Sequence, residues 1–323
     1  MKAIRIHEVG GPEVLIFEDL PDPSPAPGQV VIDIQAVGVN ITDVNTRSGV
    51  NPPRSIPLTL GIEAAGVVSA VGDGVTDLRG GDRVACYWGA MGSYAERSAV
   101  PADKVVKLPD RLDVRAGAAA LVQGMTAHYL AYSTYPLKPG DSCVVHAGAG
   151  GTGLLLIQMA KRAGAYVFAT VSTDEKAALA QEAGSDRTII YTREDFEEEV
   201  NKATDGRGVQ VVYDSVGRTT FDKSLNCLAP RGCLALYGHA SGPVTAVSEE
   251  RLAEKSVFLT RPGLPHYIAD REELLRRAGE VFDWIASGEL KLRIGGTFPL
   301  ADAAEAHRQM ESRNTTGKLL LIP

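Results

Sequence analysis

The chain has 323 residues, 44% of them hydrophobic, with 34 glycines, 18 prolines and 4 cysteines. This is too apolar for a disordered chain, and the length suits two domains. A formal net charge of −7 disfavours a nucleic-acid partner, four scattered cysteines do not make a disulfide framework or a metal cluster, and no apolar run approaches the about 18 residues of a membrane span.

The opening MKAIRIHEVGGPEV has no apolar signal core, so a soluble cytoplasmic protein that touches neither membrane nor nucleic acid is expected. Lys2–His7 and Val14–Glu18 read as short strands, and the proline-rich stretch 21–28 as a connector that cannot join a ladder. VVIDIQAVGV at 30–39 alternates as a half-buried strand does, with Val31, Asp33 and Gln35 on one face. Strands at 61–71, 81–85 and 93–100 follow, joined by Gly/Asp turns. The polar residues after the 30–39 strand read as a turn.

From about Arg115 the texture changes. Ala116–Ala131 has a helical period, and strands then alternate with helices. Strands are expected at 143–147, 166–171, 188–191, 210–213, 233–237 and 257–260, with helices at 153–163, 174–183, 194–203, 220–228 and 249–255 between them. Six strands in two β-α-β-α-β halves specify a doubly wound parallel sheet. The tail holds helices at 271–287 and 301–312 and strand-like pieces at 289–294 and 318–322 that return to the first domain.

GAGGTG at 148–153 follows the apolar CVVHA and opens the helix LLLIQMAKRAG. In G-x-G-x-x-G, Gly148 turns the chain, Gly150 lets the backbone approach a pyrophosphate and Gly153 lets helix and strand pack closely. Gly151 and Thr152 complete a loop whose free N–H groups and helix dipole hold the phosphates. An NAD site places a carboxylate about 20 residues further on. Here Ser172 stands directly after the second strand with Lys176 in reach, a hydroxyl and an ammonium suited to the 2′-phosphate of NADPH. Asp174, the counter-argument, reads as part of the N-cap of the helix that follows.

These motifs, together with VGVNITDV (37–44), GIEAAGVVSAVG (61–72), GDRV (81–84), VVYDSVG (211–217), LTRP (259–262) and ESRNTTGKLLLIP (311–323), make the chain resemble the quinone oxidoreductase branch of the medium-chain dehydrogenase/reductase superfamily, zeta-crystallin-like enzymes included. The resemblance runs almost end to end. It implies an α/β protein with a GroES-like β-domain at 1–122 and 290–323 around a Rossmann domain at 123–289. It also implies an NADPH-dependent, zinc-independent reductase of a small-molecule quinone, and a homodimer paired through the strand near Val257–Arg261. An enone reductase and a non-catalytic NADPH-binding protein are the alternatives. The superfamily's zinc enzymes carry ligands at positions that hold Asn40 and Ile62 here, and neither side chain suits zinc.

The same resemblance places Asn40 and Asp43 beside nicotinamide and substrate, with Asn40 donating to a carbonyl oxygen, and brings Arg261 toward the active site. Gln123 and Thr126 face the nicotinamide ribose. Ser172, Lys176, Tyr191 and Arg313 gather on the 2′-phosphate, and Ser215, Val216, Tyr237 and His239 line the cofactor channel. Asn45 stands where some bacterial relatives carry a tyrosine. His146 is either a satisfied strand-end residue or a cofactor contact, and Cys227 and Cys233 are structural.

Overall fold

A computed structural model describes residues 1–89 and 91–323. The chain divides into two compact units, Met1–Val122 with Ile268–Pro323, and Gln123–Tyr267.

The first unit begins with strands β1 (Lys2–Ile6), β2 (Ile16–Asp19) and β3 (Gln29–Val39), then helix α1 (Ile41–Ser48) and strands β4 (Leu58–Thr59), β5 (Glu63–Val71), β6 (Arg83–Tyr87), β7 (Arg97–Pro101) and β8 (Val105–Lys107). Strand β3 is the organiser, pairing antiparallel with both β5 and β7. Asp33 and Gln35 avoid burial as the alternation requires. The alternation fails at Val31 and again beyond Ala36, where both faces are covered. The polar segment after β3 is a helix rather than a turn. Its buried face is Asp43, Val44, Thr46 and Arg47, and Gly49 ends it at φ 83°, a conformation glycine adopts without steric cost.

Helix α2 (Val114–Tyr129) runs across the division between the units and continues as one π turn at Leu130–Thr134. The second unit then alternates β9 (Ser142–Val145), α3 (Gly151–Arg162), β10 (Tyr166–Val171), α4 (Asp174–Glu182), β11 (Arg187–Ile190), α5 (Phe196–Ala203), β12 (Val209–Asp214), α6 (Phe221–Asn226), β13 (Leu228–Leu236), α7 (Glu249–Ala253), β14 (Phe258–Thr260) and α8 (Leu264–Tyr267). Every ladder is parallel, in the order β11-β10-β9-β12-β13-β14, which is the doubly wound order with its crevice beyond the ends of β9 and β12. The core is apolar, from Val144, Phe168, Ile189, Val212 and Leu234 on the sheet to Phe196, Phe221 and Leu225 on the helices. Cys227 and Cys233 are buried and free, as structural cysteines are.

The chain returns to the first unit through α9 (Arg271–Ala286), β15 (Ile294–Pro299), α10 (Ala303–Glu311) and β16 (Lys318–Ile322). Two expectations shift here. Helix α9, assigned from sequence to the nucleotide domain, falls in the first unit, where Arg271 donates to the carbonyls of Asp103 and Val105. The strand expected at 289–294 starts at Ile294 instead. Strand β16 pairs with β15 on one side and β3 on the other, completing a seven-stranded sheet around Ile32, Ile34, Val68, Val84 and Leu321. Among the described residues no helix is long and apolar enough to cross a membrane.

Candidate functional site

In the first unit the sheet brings three buried polar side chains together. Asn40 follows β3 as the N-cap of α1, Glu63 starts β5 and Lys318 starts β16, and all three are buried. The Lys318 ammonium donates to Glu63 Oε2 at 2.5 Å and to Asn40 Oδ1 at 2.8 Å. Glu63 Oε1 accepts from the Val122 backbone N–H, and the Asn40 amide donates to Gly38 O and to Glu63 Oε2, each at 3.0 Å. Gly38 makes room for this: a Cβ there would stand 2.7 Å from both the Lys318 Cε and the Ala118 carbonyl.

Two consequences follow. Both N–H bonds of the Asn40 amide are occupied, so Asn40 has no donor left for a substrate carbonyl, contrary to the role expected of it. The set does not fit zinc either. Ile62 offers no donor atom, and the oxygens of Asn40 and Glu63 already hold a resident ammonium.

Asp43 lies one helical turn from Asn40 and is fully buried. Its Oδ2 accepts from the Asn40 backbone N–H at 2.9 Å and from the Tyr94 hydroxyl at 3.1 Å. The same hydroxyl meets His307 Nε2 at 3.0 Å. Asp43 Oδ1 and His307 Nδ1, the outer atoms of this chain, are buried without a partner. Burial pushes the Asp43 carboxyl up to about 7, against the pull of the Asn40 N–H, Lys318 and Tyr94, and Glu63 adds to the rise. Burial and the nearby Arg47 push the His307 imidazole down to about 3, so it is neutral at ordinary pH. Arg47, itself buried, reaches Glu311 at 2.5 Å. Asn45 lies on α1, and Arg313 follows α10 with φ 60°.

In the second unit the glycine loop has the geometry its spacing requires. Gly150 is the N-cap of α3, and no side chain caps the helix, so the N–H groups of its first turn have no side-chain acceptor. A Cβ on Gly153 would stand 3.0 Å from the Gly148 Cα, and one on Gly151 would overlap the Gln123 amide. Gln123 Oε1, pressed against this loop, is buried without a partner. The loop and the Gln123 amide fit a dinucleotide pyrophosphate and its ribose. His146 is a satisfied strand-end residue, bonded to Thr170 Oγ1 at 2.8 Å and Ser224 Oγ at 3.0 Å.

Beyond β10, the helix cap is Thr173, not Asp174. The Thr173 hydroxyl accepts from the Lys176 backbone N–H at 3.3 Å. Asp174 instead takes a two-pronged pair from Arg193, at 2.5 and 3.1 Å, which the sequence did not signal. Thr192 Oγ1 donates to the Ser172 carbonyl at 3.0 Å and Tyr191 is half exposed, so the ends of β10 and β11 form one surface. Partial burial lowers the Lys176 pKa, opposed by Glu175. At the ends of β12 and β13, Asp214 Oδ1 accepts from the N–H groups of Val216 and Gly217, Tyr237 bonds Ser215, and Ala240 N–H donates to the Ser215 carbonyl. Arg261 donates to the Leu236 carbonyl at 3.0 Å and contacts His239 Nδ1 at 2.9 Å. Ser215, Val216, Tyr237, His239 and Arg261 are therefore brought together. Thr126 stands one turn along α2 from Gln123.

Residues 26–110 match the alcohol dehydrogenase GroES-like domain family and residues 151–278 the zinc-binding dehydrogenase family. The chain is 43% identical to quinone oxidoreductase 1 of Escherichia coli K12 over 99% of both chains. It is also 43% identical to a 2-haloacrylate reductase of a Burkholderia species, covering 99% of this chain and 98% of that one. The crystal structure of an Escherichia coli quinone oxidoreductase complexed with NADPH superposes with a TM-score of 0.98 at 43% identity over the full length of both.

The buried ion pair can be tested on its own. Lys318→Met strands the Glu63 carboxylate and the Asn40 oxygen, which should lower stability by about 3–5 kcal/mol in urea unfolding. Adding Glu63→Gln should restore much of the loss, because no unpaired charge then remains.

Proposed function

We propose that the chain, which belongs to the quinone oxidoreductase family of the medium-chain dehydrogenase/reductase superfamily, catalyses the NADPH-dependent reduction of quinones without zinc. The observation that carries this reading is the uncapped helix behind Gly148–Gly153 in a sheet of doubly wound order, where free N–H groups and close backbone approach suit a pyrophosphate. Gly148, Gly150, Gly151, Thr152 and Gly153 hold the phosphates. Gln123 and Thr126 orient the ribose beside nicotinamide, and Ser215, Val216, Tyr237 and His239 line the channel. Arg261 braces His239, which keeps that wall in place. Bound NADPH supplies the hydride. The chain's own residues position the reactants and exclude water, which is where most of the rate comes from when the product anion is delocalised.

Ser172, Lys176 and Tyr191 select the 2′-phosphate. Asp174 does not oppose them, because Arg193 balances its charge. Asn40 acts as a fixed wall rather than a hydrogen-bond donor, and Asp43 is the titratable group on the acceptor side. The Burkholderia relative supports a second reading, hydride delivery to a conjugated C=C bond.

The chain is also proposed to be a homodimer. Strand β14 is the last in its sheet and carries Phe258 at 64% exposure, an edge that pairing with a second copy would cover. A cytoplasmic setting suits four cysteines that are all free and buried.

NADPH oxidation by 1,4-benzoquinone or 9,10-phenanthrenequinone should proceed unchanged in chelator, and product analysis with an enal or a 2-haloacrylate separates the two acceptor classes. Lys176→Ala should weaken NADPH binding about 10- to 150-fold, the value of a charge-assisted hydrogen bond, and leave NADH binding nearly unchanged. Equal losses for both would remove Lys176 from the phosphate. Solution scattering at micromolar concentration should return the mass of two chains, and a Phe258→Asp variant that of one.

A further inference from the structure

Quinone reduction consumes a proton as well as a hydride. The first unit holds a chain of three buried, titratable side chains in hydrogen-bond contact: Asp43 on α1, Tyr94 in the segment before β7, and His307 on α10. Polar groups sealed in a core are normally all partnered. Here the two outer atoms, Asp43 Oδ1 and His307 Nδ1, lack partners, while every atom between them is bonded. That is the pattern of a wire with open ends rather than of a closed structural network. We propose that Asp43, Tyr94 and His307 form a proton relay, with Asp43 as the acid that protonates the reduced acceptor. The proposal rests on the reading of this protein as an NADPH-dependent reductase whose acceptor lies beside Asp43.

The proton count balances. Once the acceptor has taken a hydride, the Asp43 carboxyl gives its proton to the acceptor oxygen, and the product leaves as the hydroquinone. The Asp43 carboxylate recovers a proton from the Tyr94 hydroxyl, which takes one from His307 Nε2, while a proton from solvent enters at His307 Nδ1. The imidazole stays uncharged and ends as the other tautomer, and the ring and the Tyr94 hydroxyl return to their starting arrangement before the next turnover. The charges around Asp43 suit a donor near neutrality. Lys318 on β16 stabilises the carboxylate, Glu63 on β5 and burial oppose it, and Arg47 on α1, paired with Glu311 on α10, keeps His307 uncharged. The resulting value of about 7 is where a general acid is both protonated and willing to donate.

The sign of the pH dependence follows. Asp43 must carry its proton to act, so quinone turnover should hold level below about pH 7 and fall about tenfold per pH unit above it. Asp43→Asn, an isostere with no transferable proton, should lose about a hundredfold in kcat and the pH dependence with it. Tyr94→Phe keeps the ring and cuts the wire. It should lower kcat at least about tenfold, abolish the solvent deuterium effect on proton delivery, and leave NADPH binding and single-turnover NADPH oxidation unchanged. Wild-type kcat and pH profile in both variants would overturn the relay while leaving the reductase reading intact. A second measurement is independent of turnover. In ¹⁵N NMR, His307 should switch tautomer, without becoming charged, at the same midpoint as Asp43 titrates, and Tyr94→Phe should uncouple the two. A His307 tautomer that ignores Asp43 in the wild-type protein would overturn the proposal.

Discussion

A single buried ammonium organises the first unit. Lys318 joins β16 to β3 through Asn40 and to β5 through Glu63, three strands adjacent in one sheet but drawn from opposite ends of the chain. Burying a charge is expensive, and a buried pair often stabilises no more than an apolar replacement would. What the arrangement provides is orientation. Glu63 also takes the Val122 N–H, and Asn40 also takes the Gly38 carbonyl, so rotating any one of the three would strand a buried polar atom. Gly38 is part of the same constraint, since a side chain there would meet Lys318 and the Ala118 carbonyl.

That constraint decides which residues remain available for chemistry. With its amide saturated, Asn40 contributes shape and leaves reactivity to Asp43, whose carboxyl is shared between the α1 backbone and Tyr94. The pull of Lys318 reaches Asp43 but does not offset its burial, to which the push of Glu63 adds. A resident ion pair thus sits where the superfamily's zinc enzymes are expected to place a metal.

Legibility in the sequence follows the range of the interactions. The second unit was readable almost element by element, because apolar strands, a glycine turn and amphipathic helices are local signals. Helix α1 was not, because Val44 is the only apolar residue on a buried face otherwise made of Asp43, Thr46 and Arg47, too little to make a detectable apolar stripe. Strand β15 was displaced because Gly295, Gly296 and Pro299 dilute the strand signal. The working contacts of the site were invisible for a different reason. Lys318 lies 278 positions from Asn40, and Tyr94 213 from His307, so only the fold pairs them. The one local hint was a lysine opening the apolar run KLLLI, where an exposed charge would ordinarily end the strand.

The nucleotide end of the second unit shows how a residue can be read correctly by position and wrongly by role. Asp174 stands where a carboxylate would select a free ribose, and its place at the start of α4 suggested capping. Thr173 caps instead, which frees Asp174 to pair with Arg193 across the ends of β10 and β11. Both members are exposed, so the pair adds little to stability. Its effect is on the local field. A lone carboxylate would repel a 2′-phosphate at Ser172 and Lys176, whereas a carboxylate held by a guanidinium presents no net charge there. Cofactor preference in this chain therefore depends on a cation two positions beyond Tyr191 as well as on the absence of a conventional ribose-binding acid.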